Sequence, residues 1–167
     1  MIGLLLLMGL LFTSSAIAAD TGLLCAIDMG NNNFRLIVGE MKGGKYLQHH
    51  FTKDRLGVGD DMAATGVISL SKLQQIDQTL KKYWADCDSK GISIRIAVAT
   101  AAFREAKNKG EVAKIAQSLN LPLEIASEER ESQLAYLVST LGKPNFAVID
   151  NGSRSIELVT RSASGYQ

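Results

Sequence analysis

The sequence predicts an α/β fold, a mixed sheet packed by helices. Three observations carry that expectation. A short apolar run at residues 23–27 is followed by two segments rich in strand formers, at 34–40 and 45–54, separated by Gly43-Gly44. Apolar residues then recur at helical spacing three times. Short strand-like runs separate those helices, so strands alternate with helices after an opening meander. The expected order is βββαβαβα, followed by the start of another ββ unit.

The elements follow in chain order. Residues 23–27 form a buried strand that ends at Asp28-Met29-Gly30, a tight turn. Leu56-Gly57-Val58-Gly59 breaks the pattern, and a loop is expected as far as Ile68. Ser69 or Ser71 caps the first helix, whose apolar face carries Leu73, Ile76, Leu80 and Tyr83/Trp84. Gly91 ends that region. The alternating segment 92–99 reads as a strand with Arg95 on its outward face. Residues 100–108 form a polar turn or short helix. Val112, Ile115, Ala116 and Leu119 mark a second helix, closed by Asn120 and Pro122. Residues 123–126 are a short strand. Ser127 caps a third helix lined by Leu134, Leu137, Val138 and Leu141 and stopped by Gly142 and Pro144. Residues 146–150 are a buried strand, and 156–161 the strand after it.

Composition narrows the function classes. The 167 residues suit one domain, or one domain with part of another. Lys and Arg total 18 against 17 Asp and Glu, which argues against a nucleic-acid partner. An apolar run at residues 4–12 precedes Ala16-Ile17-Ala18, an A-x-A cleavage pattern, although no Lys or Arg comes before it. A secretory leader over 1–18 is expected, with no membrane span once it is cleaved and a periplasmic or secreted product. An oxidising compartment permits a disulfide between the two cysteines, Cys25 and Cys87. Separate burial as small apolar residues is the preferred reading. His49-His50 reads as structural, since adjacent strand residues face opposite sides.

Four constellations carry chemistry. Asp28-Met29-Gly30-Asn31-Asn32-Asn33 is a strand end whose turn amides can form an anion-binding concavity, with Gly30 free to adopt positive φ. Asp28 can orient water on a divalent cation. The same grammar returns at Asp150-Asn151-Gly152-Ser153-Arg154-Ser155. In residues 100–108, Arg104 offers a forked donor to phosphate oxygens. In Ser127-Glu128-Glu129-Arg130-Glu131 the first acidic residues suit the helix dipole. Glu131, about one turn in, is available as a general base.

Together with Phe34-Arg35-Leu36, Arg55-Leu56-Gly57-Val58-Gly59 and Glu157, these motifs resemble the Ppx/GppA family of exopolyphosphatases and guanosine pentaphosphate phosphohydrolases. The Thr100-Ala101-Ala102-Phe103-Arg104-Glu105-Ala106-Lys107-Asn108 segment is the most specific match. The resemblance implies the actin-like (ribonuclease H-like) fold shared with sugar kinases and heat-shock ATPases, with residues 19–142 as the first lobe and 143–167 as the start of a truncated second lobe. It implies that Glu131 activates the attacking water and that Asp28, Asp150 and Glu157 serve Mg²⁺. Phosphate contacts fall to Gly30, Asn31, Asn32, Asn33, Arg55, Arg104, Gly152 and Ser153. The implied reaction releases terminal phosphate from polyphosphate or a guanosine polyphosphate. The loops depart from the family pattern: Asn31 and Asn33 stand at serine positions, and Asn151, Ser153 and Arg154 intrude in the second loop. A non-catalytic periplasmic module that binds phosphate compounds or another protein stays open beside the hydrolase. Self-association as a homodimer would cover an exposed apolar face. A sugar kinase of the same fold suits residues 127–136 less well.

Overall fold

The computed structural model describes residues 22–140, 143, 145–151, 156–162 and 165–166. The expected leader, Gly142, Pro144 and the loop residues Gly152, Ser153 and Arg154 lie outside the described residues. The first sheet has five strands: β1 (Leu24–Met29), β2 (Asn33–Lys42), β3 (Lys45–Arg55), β4 (Arg95–Ala99) and β5 (Leu123–Ile125). Their order is β3-β2-β1-β4-β5. The β1, β2 and β3 pairings are antiparallel, and β4 and β5 run parallel to β1. All six residues of the central β1 are buried, which explains the apolar run that leads to Asp28. Gly43 and Gly44 both take positive φ, 57° and 72°, as a two-residue hairpin turn that follows the strand twist requires.

Five helices follow in chain order: α1 (Val58–Thr65), α2 (Leu70–Ser89), α3 (Ala101–Glu105), α4 (Lys109–Ser118) and α5 (Glu128–Thr140). The main core lies on one face of the sheet. There Cys25, Ile27, Met29, Phe34, Leu36, Val38, Ala97 and Ala99 meet Ile76, Leu80, Tyr83, Phe103, Val112 and Ala116 of the helices. The opposite face holds a smaller cluster of Leu24, Ala26, Ile37, Val98 and Ala126, with Tyr46 packed against it. Tyr83 is fully buried, and its hydroxyl donates to the Phe34 carbonyl at 3.2 Å. Burial, followed by the Asp54 carboxylate, holds that phenol well above its ordinary pKa.

A second sheet, β6 (Ala147–Asn151), β7 (Ile156–Ser162) and β8 (Gly165–Tyr166), is wholly antiparallel. It packs on α5 through Tyr136, Val148, Val159 and Tyr166. The Tyr136 hydroxyl donates to the Lys143 carbonyl at 2.9 Å and accepts from the Phe146 amide at 3.3 Å, tying α5 to this sheet.

The structure corrects four expectations. Residues 146–150, expected as a buried strand, pair as β6 with Val148 buried but Phe146 and Ile149 exposed. Residues 58–65, expected as loop, form α1. Gly57 and Gly66 flank it in the left-handed conformation, and Val58 and Met62 are buried one turn apart. The glycines that read as loop punctuation are its boundaries. Arg95 does not face outward: it lies opposite Cys25, on the helix-covered side. Its guanidinium stacks 4.1 Å from the Trp84 ring centre and donates to Asp88 and the Ile92 carbonyl, because α2 extends past the start of the strand. Cys25 and Cys87 are buried, as read, but they are also joined by a disulfide, linking β1 to the end of α2.

The α2 surface sets one acid response. Asp86 accepts from Lys90, and His50 lies 2.9 Å away. Lys90 is the larger cause that holds the Asp86 carboxyl below its ordinary range, and the Ser69 hydroxyl and amide do the same for Asp61. Because the folded-state values are depressed, their stabilisation is present above the ordinary carboxylate range and is lost as pH falls below it through the depressed folded-state values. Acid titration of thermal stability is expected to show a shallower decline for Asp86→Asn than for the unaltered chain. Parallel curves would contradict that assignment.

Candidate functional site

The parallel strands β1, β4 and β5 end together, at Met29, Ala99 and Ile125. In open α/β sheets, ligands bind in the crevice beyond such carboxyl ends. The residues that follow, Gly30, Thr100 and Ala126, are stitched side by side. The Thr100 amide donates to the Met29 carbonyl at 3.2 Å, and the Ala126 amide to the Ala99 carbonyl at 2.9 Å.

The first Asp-x-Gly turn is held by its neighbours. The Gly30 amide donates to the Asn33 carbonyl at 3.0 Å. Gly30 does not use the positive φ open to it. Space is its constraint, since a Cβ there would stand 3.1 Å from the Asn33 carbonyl oxygen. The Asn32 carbonyl accepts from the amides of Leu56 and Gly57, and the Asn31 carbonyl from Gly59. The Asn31 side chain, almost fully buried, accepts from the Ala102 amide at 2.9 Å and so caps α3. Sequence reasoning assigned Asn31 to phosphate and did not foresee this cap. Asn33 begins β2 opposite Arg55, the last residue of β3. Arg55 is exposed and makes no ion pair among the described residues.

Asp28 is fully buried, and its Oδ2 accepts from Arg35 Nη1 at 2.5 Å. The two residues are direct partners across β1 and β2, so their side chains share a face. Arg35 belongs to a motif that resembles the family, but the sequence assigns it no site role. A carboxylate this buried requires a partner, and a basic residue two places into the next strand was the available signal.

The expected phosphate-binding arginine and the expected base are brought together. Arg104 Nη1 donates to Glu131 and, at 2.7 Å, to the Ala126 carbonyl, while Nη2 stands 3.6 Å from Glu128. Arg104 sits in α3 and Glu131 in the first turn of α5. The Ser127 hydroxyl accepts from the Arg130 amide at 3.1 Å and caps that helix, as read. Asp150 and Glu157 oppose each other across β6 and β7. Gly152 and Ser153 fall outside the described residues. No cluster of three or more His, Cys, Asp or Glu side chains suited to a metal occurs among the described residues. His49 and His50 turn to different partners, Glu40 and Asp86, as a structural role implies.

A five-stranded mixed sheet flanked by helices, with motif-bearing loops at the carboxyl ends of its parallel strands and a second antiparallel sheet behind α5, defines an actin-like α/β lobe. Residues 37–164 match the Ppx/GppA phosphatase family, and the chain belongs to it. The chain is similar to the Aquifex aeolicus member of the Ppx/GppA family, at 26% identity and a TM-score of 0.76, over 87% of this chain and 49% of that one. It is similar to an exopolyphosphatase from Cytophaga hutchinsonii at 25% identity and a TM-score of 0.72, over 82% and 46% of the two chains. The ethanolamine utilization protein EutJ from Carboxydothermus hydrogenoformans shares the fold, at 13% identity and a TM-score of 0.53, over 90% and 52%. The chain therefore spans about half the length of these solved chains.

Proposed function

We propose that the chain belongs to a phosphoanhydride hydrolase that releases terminal phosphate from polyphosphate or a guanosine polyphosphate. The observation that carries this reading is the juxtaposition of Glu131 with Arg104 beside the turn at residues 30–33. Attack of water on a phosphoryl group demands positioning and charge neutralisation more than covalent chemistry. In this reading Glu131 accepts the proton from water, and Arg104 holds both that carboxylate and a phosphoryl oxygen. Arg55 adds a second cation at the end of β3, and the turn amides give the loop its polarity.

The residues that the family resemblance assigns to Mg²⁺, Asp28, Asp150 and Glu157, carry only oxygen donors, the chemistry that suits it, though no three such side chains gather among the described residues. Arg35 already balances the charge of Asp28, which is fully buried. Asp150 and Glu157, register partners on β6 and β7, would hold the ion itself. When bound, Mg²⁺ neutralises phosphate charge. Phosphate release from long-chain polyphosphate is expected with Mg²⁺ and is expected to disappear in a chelator. Release undiminished by chelation would contradict the metal assignment. Export is part of the same proposal. The A-x-A leader pattern supports it, as does the buried Cys25–Cys87 disulfide, a bond that persists in oxidising compartments.

A non-catalytic phosphate-binding module is the second reading. It is favoured by the engagement of Asn31 with Ala102 and of Glu131 with Arg104 in protein contacts. Binding of polyphosphate without release would establish it.

A further inference from the structure

Three acceptors surround the Arg104 guanidinium, and two of them are carboxylates. Nη1 carries two N–H groups, and protein acceptors take both: Glu131, and the Ala126 carbonyl at 2.7 Å. A phosphoryl oxygen must therefore approach the rest of the guanidinium. There Nη2 stands 3.6 Å from Oε1 of Glu128. At that separation the two form an ion pair without a hydrogen bond. Glu128 is the first residue of α5 and Glu131 follows three residues on, so both carboxylates lie on the side of the helix that meets Arg104.

Neither capping nor the helix dipole accounts for this contact. Ser127 supplies the cap by accepting from the Arg130 amide, and Glu129 and Glu131 share the acidic first turn with Glu128. Glu128 is set apart by contact combined with exposure. Its side chain is 89% exposed, against 32% for Glu131 and 25% for Arg104. A carboxylate so exposed is displaced at little cost, because a surface ion pair contributes little to stability. Glu131 is held more firmly, by a charge-assisted hydrogen bond. An anion arriving at Nη2 meets a carboxylate that repels it and already shares the same cation.

We propose that Glu128 is a tethered anionic competitor at Arg104, which lowers the affinity of the candidate site for phosphate groups. The proposal rests on the phosphate-binding reading above and adds to it a residue that weakens binding. A phosphoryl group displaces the Glu128 carboxylate from Nη2, and the carboxylate returns when the group leaves. In a hydrolase that releases orthophosphate, such a competitor limits retention of the product. Glu128 acts on binding through Arg104 and is separate from the Glu131 base.

Calorimetric titration of orthophosphate and pyrophosphate at fixed Mg²⁺ into the unaltered chain, Glu128→Gln and Glu129→Gln tests the competitor. Glu129→Gln removes the same charge from the same turn, but Glu129 is exposed and accepts from Gln133. Glu128→Gln is expected to bind both probes about fivefold tighter, the effect of deleting an exposed ion pair that the ligand must break. Glu129→Gln is expected to stay within about twofold of the unaltered chain, since surface charges out of contact are largely screened. Equal affinity of Glu128→Gln and the unaltered chain would overturn the competitor and leave the hydrolase reading standing. An equal gain in both variants would reduce the effect to general repulsion and would overturn it too. If neither the unaltered chain nor Glu128→Gln binds either probe, the phosphate-binding reading falls, and the competitor with it.

Discussion

Reduction of the Cys25–Cys87 disulfide is expected to lower the unfolding free energy by about 4 kcal/mol, the chain-entropy value for a loop of this length. The cysteines are separated by 62 residues, so the bond closes a loop containing β2, β3, α1 and most of α2. The native loop is held by the β1–β2 ladder and by the packing of α2 on the sheet, and reduction releases the constraint on its ends in the unfolded chain. Urea titration with and without reductant measures the effect, and an unchanged slope with a shifted midpoint would place it in stability rather than compactness. Two titratable thiols per chain in unreduced, denatured protein would contradict the bond.

Removing the Asp28 carboxylate is expected to be nearly as damaging. Asp28→Ala strands the Arg35 guanidinium against the sheet, and breaking a buried pair in this way costs about 3–5 kcal/mol. Arg35 retains some access to solvent, with its side chain 19% exposed, which places the expectation at the lower end of that range. The double variant Asp28→Ala, Arg35→Met is expected to recover part of the loss, since no uncompensated charge remains. A double variant as unstable as the sum of the singles would contradict a direct pair.

The sequence made the local features of this fold legible and the distant ones obscure. The apolar run before Asp28, the paired glycines 43 and 44, and the Ser69 and Ser127 caps are each decided within a few residues, and the structure agrees with them. Helix α1 was hidden because glycines at both ends and Asp60-Asp61 between them imitate a loop. Only burial of Val58 and Met62 against the core resolves it. The Arg95 error came from counting alternation without knowing that α2 overhangs the start of β4. The disulfide required knowing that the end of α2 returns to β1, which no local signal records.

The site divides along the same line. That Arg104 and Glu131 both carry chemistry could be proposed from their motifs, and the structure adds that they touch. The Asp28–Arg35 pair is a property of strand register. Reading it from sequence required the β1–β2 turn to be placed to the residue. Asn31 shows the limit of motif reasoning. A polar residue in a phosphate-type loop also caps the helix beside it, and only the distance to Ala102 distinguishes the two roles.

The central claim is that Glu131 activates water at a phosphate site built from the carboxyl ends of β1, β4 and β5. Phosphate release from long-chain polyphosphate with Mg²⁺, measured for the unaltered chain and for Glu131→Gln, tests it most directly. The account predicts release by the unaltered chain and a loss of at least about a hundredfold in the variant, the lower bound expected for a positioned general base. Equal release from both proteins, with both folded and both binding the substrate, would contradict it.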